Sequence, residues 1–304
     1  MKNTKRNMET TSSSLLAKYR NGNCAVSLYE DGTKVREWDG EARPEFPESM
    51  DLKITDWCDG GCLYCHEKST INGKHSNLED IKKILADLPP GVEIATGGGD
   101  TMAYPFLEEY MEWAKERGLI VNMTVNAMHL YRHADRIRDL RKRKLVHGVG
   151  ISYGKRFEDR ILDIADRNTV VHVIAGVDDI QGILKLARQG VTILVLGYKR
   201  FGRGVIYFDD KVQRSVDAWR YWIGPLMRSG STISFDNLAI EQLGIESLVT
   251  PKAWENFYLG ADGSHTMYVD AVQMEYAKSS VSPRKAVGDL GIREMFAVIH
   301  PLSK

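Results

Sequence analysis

A chain of 304 residues with 43% hydrophobic content can bury a sizeable core and has the length of a single α/β barrel. Its 41 basic and 41 acidic residues balance, so no global field draws it onto nucleic acid. No run approaches the ~18 apolar residues of a membrane span.

Residues 1–20 are polar, read as a flexible arm and lack the apolar stretch of a secretion signal. Residues 21–48 read as a hairpin and linker: in "CAVSLYEDGTKVREW" two alternating runs flank an Asp31-Gly32 turn, and "EARPEFPESM" holds two prolines that block regular structure. From residue 49 strands and helices alternate. "DLKITDW" is a strand that runs into a cysteine-rich loop, and "NLEDIKKILADL" is a helix with Asn77 as N-cap and Pro89 beyond its end. "GVEIATGGG" is the next strand and "PFLEEYMEWAKERG" the next helix, stopped at Gly118. Strands "LIVNMTVN", "VHGVGISYG", "TVVHVIAG" and "VTILVLGY" follow, separated by further helices. The basic run "RHADRIRDLRKRKLVHG" has the spacing of a solvated helix face and gives no strong nucleic-acid signal.

Six short β-branched strands alternating with helices predict parallel right-handed crossovers, hence an α/β fold of partial (β/α)6 barrel type over residues 49–205. Residues 206–304 change character and are expected to complete the barrel and cap its mouth. Ligands in such folds sit beyond the carboxyl ends of the strands. Here those ends carry the cysteine loop, Gly97-Gly98-Gly99-Asp100, Asn126, Ser152-Tyr153, Gly176 and "YKRFGRG".

Three of the four cysteines, Cys58, Cys62 and Cys65, fall within "WCDGGCLYCHE". Clustered thiols with one distant Cys24 suggest a reducing compartment, hence the cytoplasm, and a metal rather than a disulfide framework. Structural zinc wants four closed ligands, and His66 directly after Cys65 is poorly placed to be the fourth. A dithiol redox pair at Cys62 and Cys65 leaves Cys58 without a role. A cubane cluster with one open iron fits three thiolates better.

Cys58-x3-Cys62-x2-Cys65, with Tyr64 before the last cysteine, resembles the signature of the radical S-adenosylmethionine (radical SAM) superfamily. The resemblance extends over residues 49–205. It implies an oxygen-sensitive [4Fe–4S] cluster on the three cysteines, an external electron donor of flavodoxin or ferredoxin type, and S-adenosylmethionine (SAM) beside the cluster. Gly97, Gly98, Gly99 and Asp100 look like the glycine-rich motif that meets the methionine end of SAM. Ser152 and Gly176 match other cofactor-facing positions, Tyr64 is the signature's aromatic residue beside the cofactor, and Asn126, ending the third strand at the same mouth, is expected to contact SAM or substrate. The implied reaction is reductive cleavage of SAM to methionine and a 5′-deoxyadenosyl radical, which takes a hydrogen atom from an unidentified substrate. A small molecule or nucleotide is the first expectation, a peptide or tRNA the alternative. Outside this chemistry stands a zinc-binding interaction module with no catalysis. Lys199, Arg200 and Arg203 are expected to grip an anionic substrate, with Asp236, Asn237, Tyr268 and Asp270 nearby. Cys24 reads as a half-buried strand residue and His172 as a packed one. No cysteine follows Cys65, so this chain's later segment offers no thiolates for a second cluster.

Overall fold

Two sheets organise the protein in this computed structural model, which describes residues 2–6 and 13–300. Strands β1 (Lys2–Arg6), β2 (Leu15–Asn21), β3 (Cys24–Tyr29) and β4 (Lys34–Asp39) form an antiparallel sheet in the order β1-β4-β3-β2. The expected Asp31-Gly32 turn joins β3 to β4, with Asp31 Oδ1 accepting from the Thr33 N–H at 3.0 Å. Leu15–Asn21, read from sequence as part of an arm, is instead strand β2. Its weak apolar alternation hides a backbone ladder with β3 and a Tyr19 ring 6.1 Å from that of Phe46. Residues 7–12 of the expected arm lie outside the described residues. Cys24 is 0% exposed rather than half-buried.

The large sheet holds β5 (Ser49–Thr55), β6 (Glu93–Gly98), β7 (Ile120–Asn126), β8 (Val149–Ser152), β9 (Thr169–Ile174), β10 (Thr192–Leu196), β11 (Ile233–Phe235), β12 (Thr266–Asp270), β13 (Glu275–Ala277) and β14 (Lys285–Ala286). Its order is β11-β10-β9-β8-β7-β6-β5-β12-β13-β14. The six expected strands are β5 to β10, all parallel. β11 continues the parallel set at one edge, and β12 does so beside β5 before β13 and β14 turn antiparallel. The sheet therefore curls without closing, as a partial barrel of α/β class.

The crossovers are α1 (Leu78–Leu85), α2 (Leu107–Glu116), α3 (Ala127–Lys142), α4 (Glu158–Ile164) and α5 (Ile180–Ala187). Then come α6 (Gly204–Tyr207), α7 (Asp210–Met227), α8 (Asn237–Leu243), α9 (Pro251–Phe257) and α10 (Ile292–Ile299). Local chemistry sets their starts: Asn77 Oδ1 accepts from the Glu79 N–H at 2.8 Å, and Leu78, Ile81, Ile84 and Leu85 bury one stripe of α1. Along β7 the alternation is clean. Val121, Met123 and Val125 are buried in the core cluster shared with the helices, while Thr124 and Asn126 line the lumen. The same period on β5 and β9 sends Asp51, Lys53, His172 and Ile174 inward. A lumen polar enough to hold a ligand is thus written into every second residue. No helix among the described residues is long and apolar enough to cross a membrane.

Candidate active site

The loop after β5 carries the three thiols. Its two limbs are tied at the base, where the Asp56 N–H donates to the Lys74 carbonyl at 2.8 Å and the Cys58 N–H to that of Thr70 at 2.9 Å. A turn follows in which the Cys65 N–H reaches the Cys62 carbonyl at 3.3 Å. A Cβ placed on Gly60 would lie 3.3 Å from Cys58 Sγ and 3.9 Å from Cys62 Sγ, so this glycine sits beside both sulfurs and a side chain there would crowd that of Cys58. Burial pushes the Cys58 and Cys62 thiols up, and the neighbouring cysteines push the same way. All three are free thiols.

Among the described residues no fourth side chain completes a closed metal site with the three cysteines. His66 Nε2 lies 3.2 Å from Glu67 Oε1. Both nitrogens of the nearby His129 are taken by carboxylates, Nε2 by Asp59 at 2.7 Å and Nδ1 by Asp100 at 3.3 Å. Three free thiols that border one cavity, with the imidazoles engaged elsewhere, are a donor set that suits an iron–sulfur cluster better than a closed four-ligand zinc site.

Several elements hold this loop. From α3, His129 and Arg132 grip Asp59. From the end of β6, the Gly99 and Asp100 N–H groups donate to the Thr55 and Trp57 carbonyls, each at 2.7 Å. Gly98 (φ +116°) and Gly99 are glycines for that docking: a Cβ would come within 2.4 Å of the Thr55 oxygen or 2.1 Å of the Trp57 oxygen. At Gly97, by contrast, a Cβ meets nothing within 4 Å, and this residue borders the cavity. From the carboxyl-terminal segment comes a buried charge network. Lys53 Nζ sits 2.5 Å from Asp56, 2.9 Å from Glu67 and 2.9 Å from Asp270, while the Tyr268 hydroxyl donates to Glu67 at 3.1 Å. Burial opposes the Lys53 charge, but the three carboxylates outweigh it and hold the ammonium firmly protonated.

Beside the loop, at the carboxyl ends of the strands, opens a cavity of about 400 Å³. Cys58, Cys62, Cys65, Tyr64, Gly97, Gly98, Gly99, Asn126, Ser152 and Lys199 border it. Asn126 also caps α3, its Oδ1 accepting from the Met128 N–H at 2.9 Å. The Tyr64 ring packs edge-on to Tyr207 at 5.7 Å, and burial pushes its hydroxyl up. Lys199 Nζ donates to Ser280 Oγ at 2.9 Å.

Several predicted positions lie outside the cavity lining. Asp100 is buried outside the cavity lining, capping a 3-10 turn through the Met102 N–H at 3.1 Å. Gly176 (φ +97°) makes room for α7, since its Cβ would fall 2.8 Å from Val216 Cγ2. Arg200 stacks over Phe208 at 4.0 Å. Arg203 turns onto the cysteine loop and bonds the Cys62 carbonyl at 3.0 Å. Asn237 turns away as well, to Asp262 at 2.7 Å, while Asp236 and Tyr268 do border the cavity.

Sequence reasoning passed over Asp51 and Asp178, and took His172 for a packed residue; all three face the lumen. Asp51 is solvent-accessible within the cavity yet walled by protein, and burial pushes its carboxyl up to about 6 against the pull of Lys199. Burial likewise pushes Asp178 up to about 7, although it accepts the Ile174 N–H at 2.7 Å. His172 is driven down to about 4 by burial and by Lys199, so its imidazole is neutral. The missed signal was the period of two: His172 stands opposite Ser152 in the β8–β9 register, and Asp51 stands two residues before Lys53.

Residues 52–199, which carry this cysteine loop, match the sequence profile of the Radical SAM superfamily. The stretch from 52 to 199 is accordingly of radical SAM type. No curated protein matches the chain. Among solved structures it is similar to Streptococcus suis SuiB bound to precursor peptide SuiA, at 10% identity and TM-score 0.57, covering 85% of this chain and 66% of that one. SuiB bound to S-adenosylmethionine gives 10% identity and TM-score 0.55, with 83% and 66% covered. The chain thus spans 66% of the length of these structures.

Proposed function

We propose that the protein holds one [4Fe–4S] cluster on Cys58, Cys62 and Cys65 and binds SAM across the cavity against Gly97, Asn126 and Ser152. The observation that carries this is that three free thiols border one end of that cavity. When bound, the cluster and SAM supply reductive cleavage of the sulfonium and a 5′-deoxyadenosyl radical. This chain's own residues orient and shield. The strand-end backbone admits close approach at Gly97, Asn126 and Ser152 offer hydrogen bonds, and the lumen walls keep bulk water away from the reacting end.

The substrate is read as a small molecule or nucleotide. A cavity of about 400 Å³ shared with SAM leaves modest room, and Tyr268 and Ser280 of the carboxyl-terminal segment stand across it. A peptide is the second reading, favoured by an open groove between α8 and α9, lined by Trp254, Tyr258 and Asn237, the residue next to cavity-lining Asp236. A flavodoxin- or ferredoxin-type donor in a reducing cell interior suits either.

Anaerobic reconstitution tests the proposal. About four irons with matching acid-labile sulfide per chain, and 5′-deoxyadenosine formed from SAM under a strong reductant, are expected. Stoichiometric zinc without sulfide would overturn it.

A further inference from the structure

We propose that Arg203 is a positioning residue of the cysteine loop that sets both the geometry of its thiolates and the redox poise of the group they hold. This rests on the reading of the loop as a cluster site.

The segment joining β10 to α6 lies in backbone contact with the cysteine loop. Gly202 (φ +58°) is there because a Cβ would fall 2.2 Å from the His66 oxygen and 2.9 Å from that of Cys65. This approach brings the next residue into reach of three carbonyls. The Arg203 N–H donates to the Cys65 carbonyl at 3.0 Å, its Nε to that of Cys62 at 3.0 Å, and its Nη1 to that of Ser69 at 2.9 Å. One residue therefore caps both carbonyls of the cysteines that close the turn, and ties the turn to the returning limb. Its own position is braced by the Tyr198 hydroxyl, which donates to the Gly204 carbonyl at 2.8 Å. The outer face of the turn has little other cover, since Leu63 is 69% exposed.

Two consequences follow from guanidinium chemistry. A planar fork with fixed donor directions restrains two carbonyls at once, which a lysine ammonium on a flexible stem does not reproduce. A permanent positive charge beside Cys62 also favours the more negative, reduced state of whatever redox group the thiolates bind. Arg203 touches no cavity residue's reacting atoms; it acts through the loop.

The test uses the reconstituted holoenzyme with Arg203→Ala, Arg203→Gln and Arg203→Lys. With full iron content, the Ala and Gln variants should show a reduced fraction at fixed solution potential lowered by about tenfold. Arg203→Lys should restore most of that fraction, but not the wild-type electron paramagnetic resonance line shape of the reduced cluster. Line shapes and reduced fractions equal to wild type in all three variants would overturn the proposal. If Arg203→Ala loads poorly, Gln and Lys carry the same comparison. Wild-type protein without a cluster would refute the cluster reading, and the positioning role would still be decided on metal-free protein. Amide hydrogen exchange over residues 58–70 should there be several-fold faster in Arg203→Ala than in wild type, and equal rates would refute the role.

Discussion

The two ends of the cavity are built on opposite plans. At the cysteine end nearly every polar group is spoken for: backbone donors of β6, carboxylates and cations of α3, the Lys53 network and the segment before α6 all hold one loop. At the lumen end, Asp51 and His172 face the cavity with no hydrogen-bond partner among the described residues. A rigid end suits chemistry that must be placed before the substrate arrives. An end with unsatisfied donors and acceptors suits a molecule that brings its own. The contrast teaches which residues to expect in each role: positioning at the loop, recognition in the lumen.

That contrast breaks most sharply at the thiols. Replacing any one of Cys58, Cys62 or Cys65 with Ala should abolish SAM cleavage and cost most of the iron, read by metal analysis and 5′-deoxyadenosine yield. Cys24→Ala should leave both intact, because Cys24 is buried in the separate amino-terminal sheet.

The glycines sharpen it next. Gly99→Val must push the Trp57 carbonyl away, so iron content and SAM affinity should fall together. Gly97→Ala adds a methyl where the protein has open space; iron should stay and SAM affinity drop by about tenfold. Equal behaviour of the two variants in iron analysis and SAM titration would erase the distinction between docking and ligand-facing glycines.

A smaller effect is expected inside the loop's supporting charges. Lys53→Met leaves Asp56, Glu67 and Asp270 crowded without their cation and should cost about 3–5 kcal/mol in denaturant unfolding. A loss below about 1 kcal/mol would mean that the carboxylates simply take up protons.

The smallest concerns the lumen. Asp178 titrates at about 7 when folded, above the ordinary carboxylate range, so the folded state resists its ionisation. Wild-type stability from this group is whole below about pH 4 and is lost as pH rises through 7. Asp178→Asn should therefore match wild type near pH 4 and exceed it by about 1–2 kcal/mol at pH 8, since the side chain is only partly solvated. Thermal melts at the two pH values decide it; an equal difference at both would assign the effect to packing.

Much of this was legible in residue order. The cysteine spacing, the alternation of β-branched strands with helices, and the Asp31-Gly32 and Asn77 signals are local, and each rests on short-range sterics or capping. They led to the partial barrel, the crowded thiols and the end of the sheet at which a ligand would sit. Gly176 was drawn to that end by its place after β9, yet its missing Cβ serves the packing of α7. Position on the chain told where a residue lies along a strand end but not which neighbour it meets.

By itself, then, the sequence determined the elements, their parallel order and the three thiols, because these depend on contacts within a few residues. Only the tertiary structure decided which of three adjacent glycines has open space for a side chain, that Arg203 reaches the Cys62 carbonyl 141 positions away, and that Asp51 and His172 share one lumen. Those outcomes depend on side-chain direction across strands and loops far apart in the chain. A period of two says that alternate residues face the same way, and only the curl of the sheet makes that side a cavity.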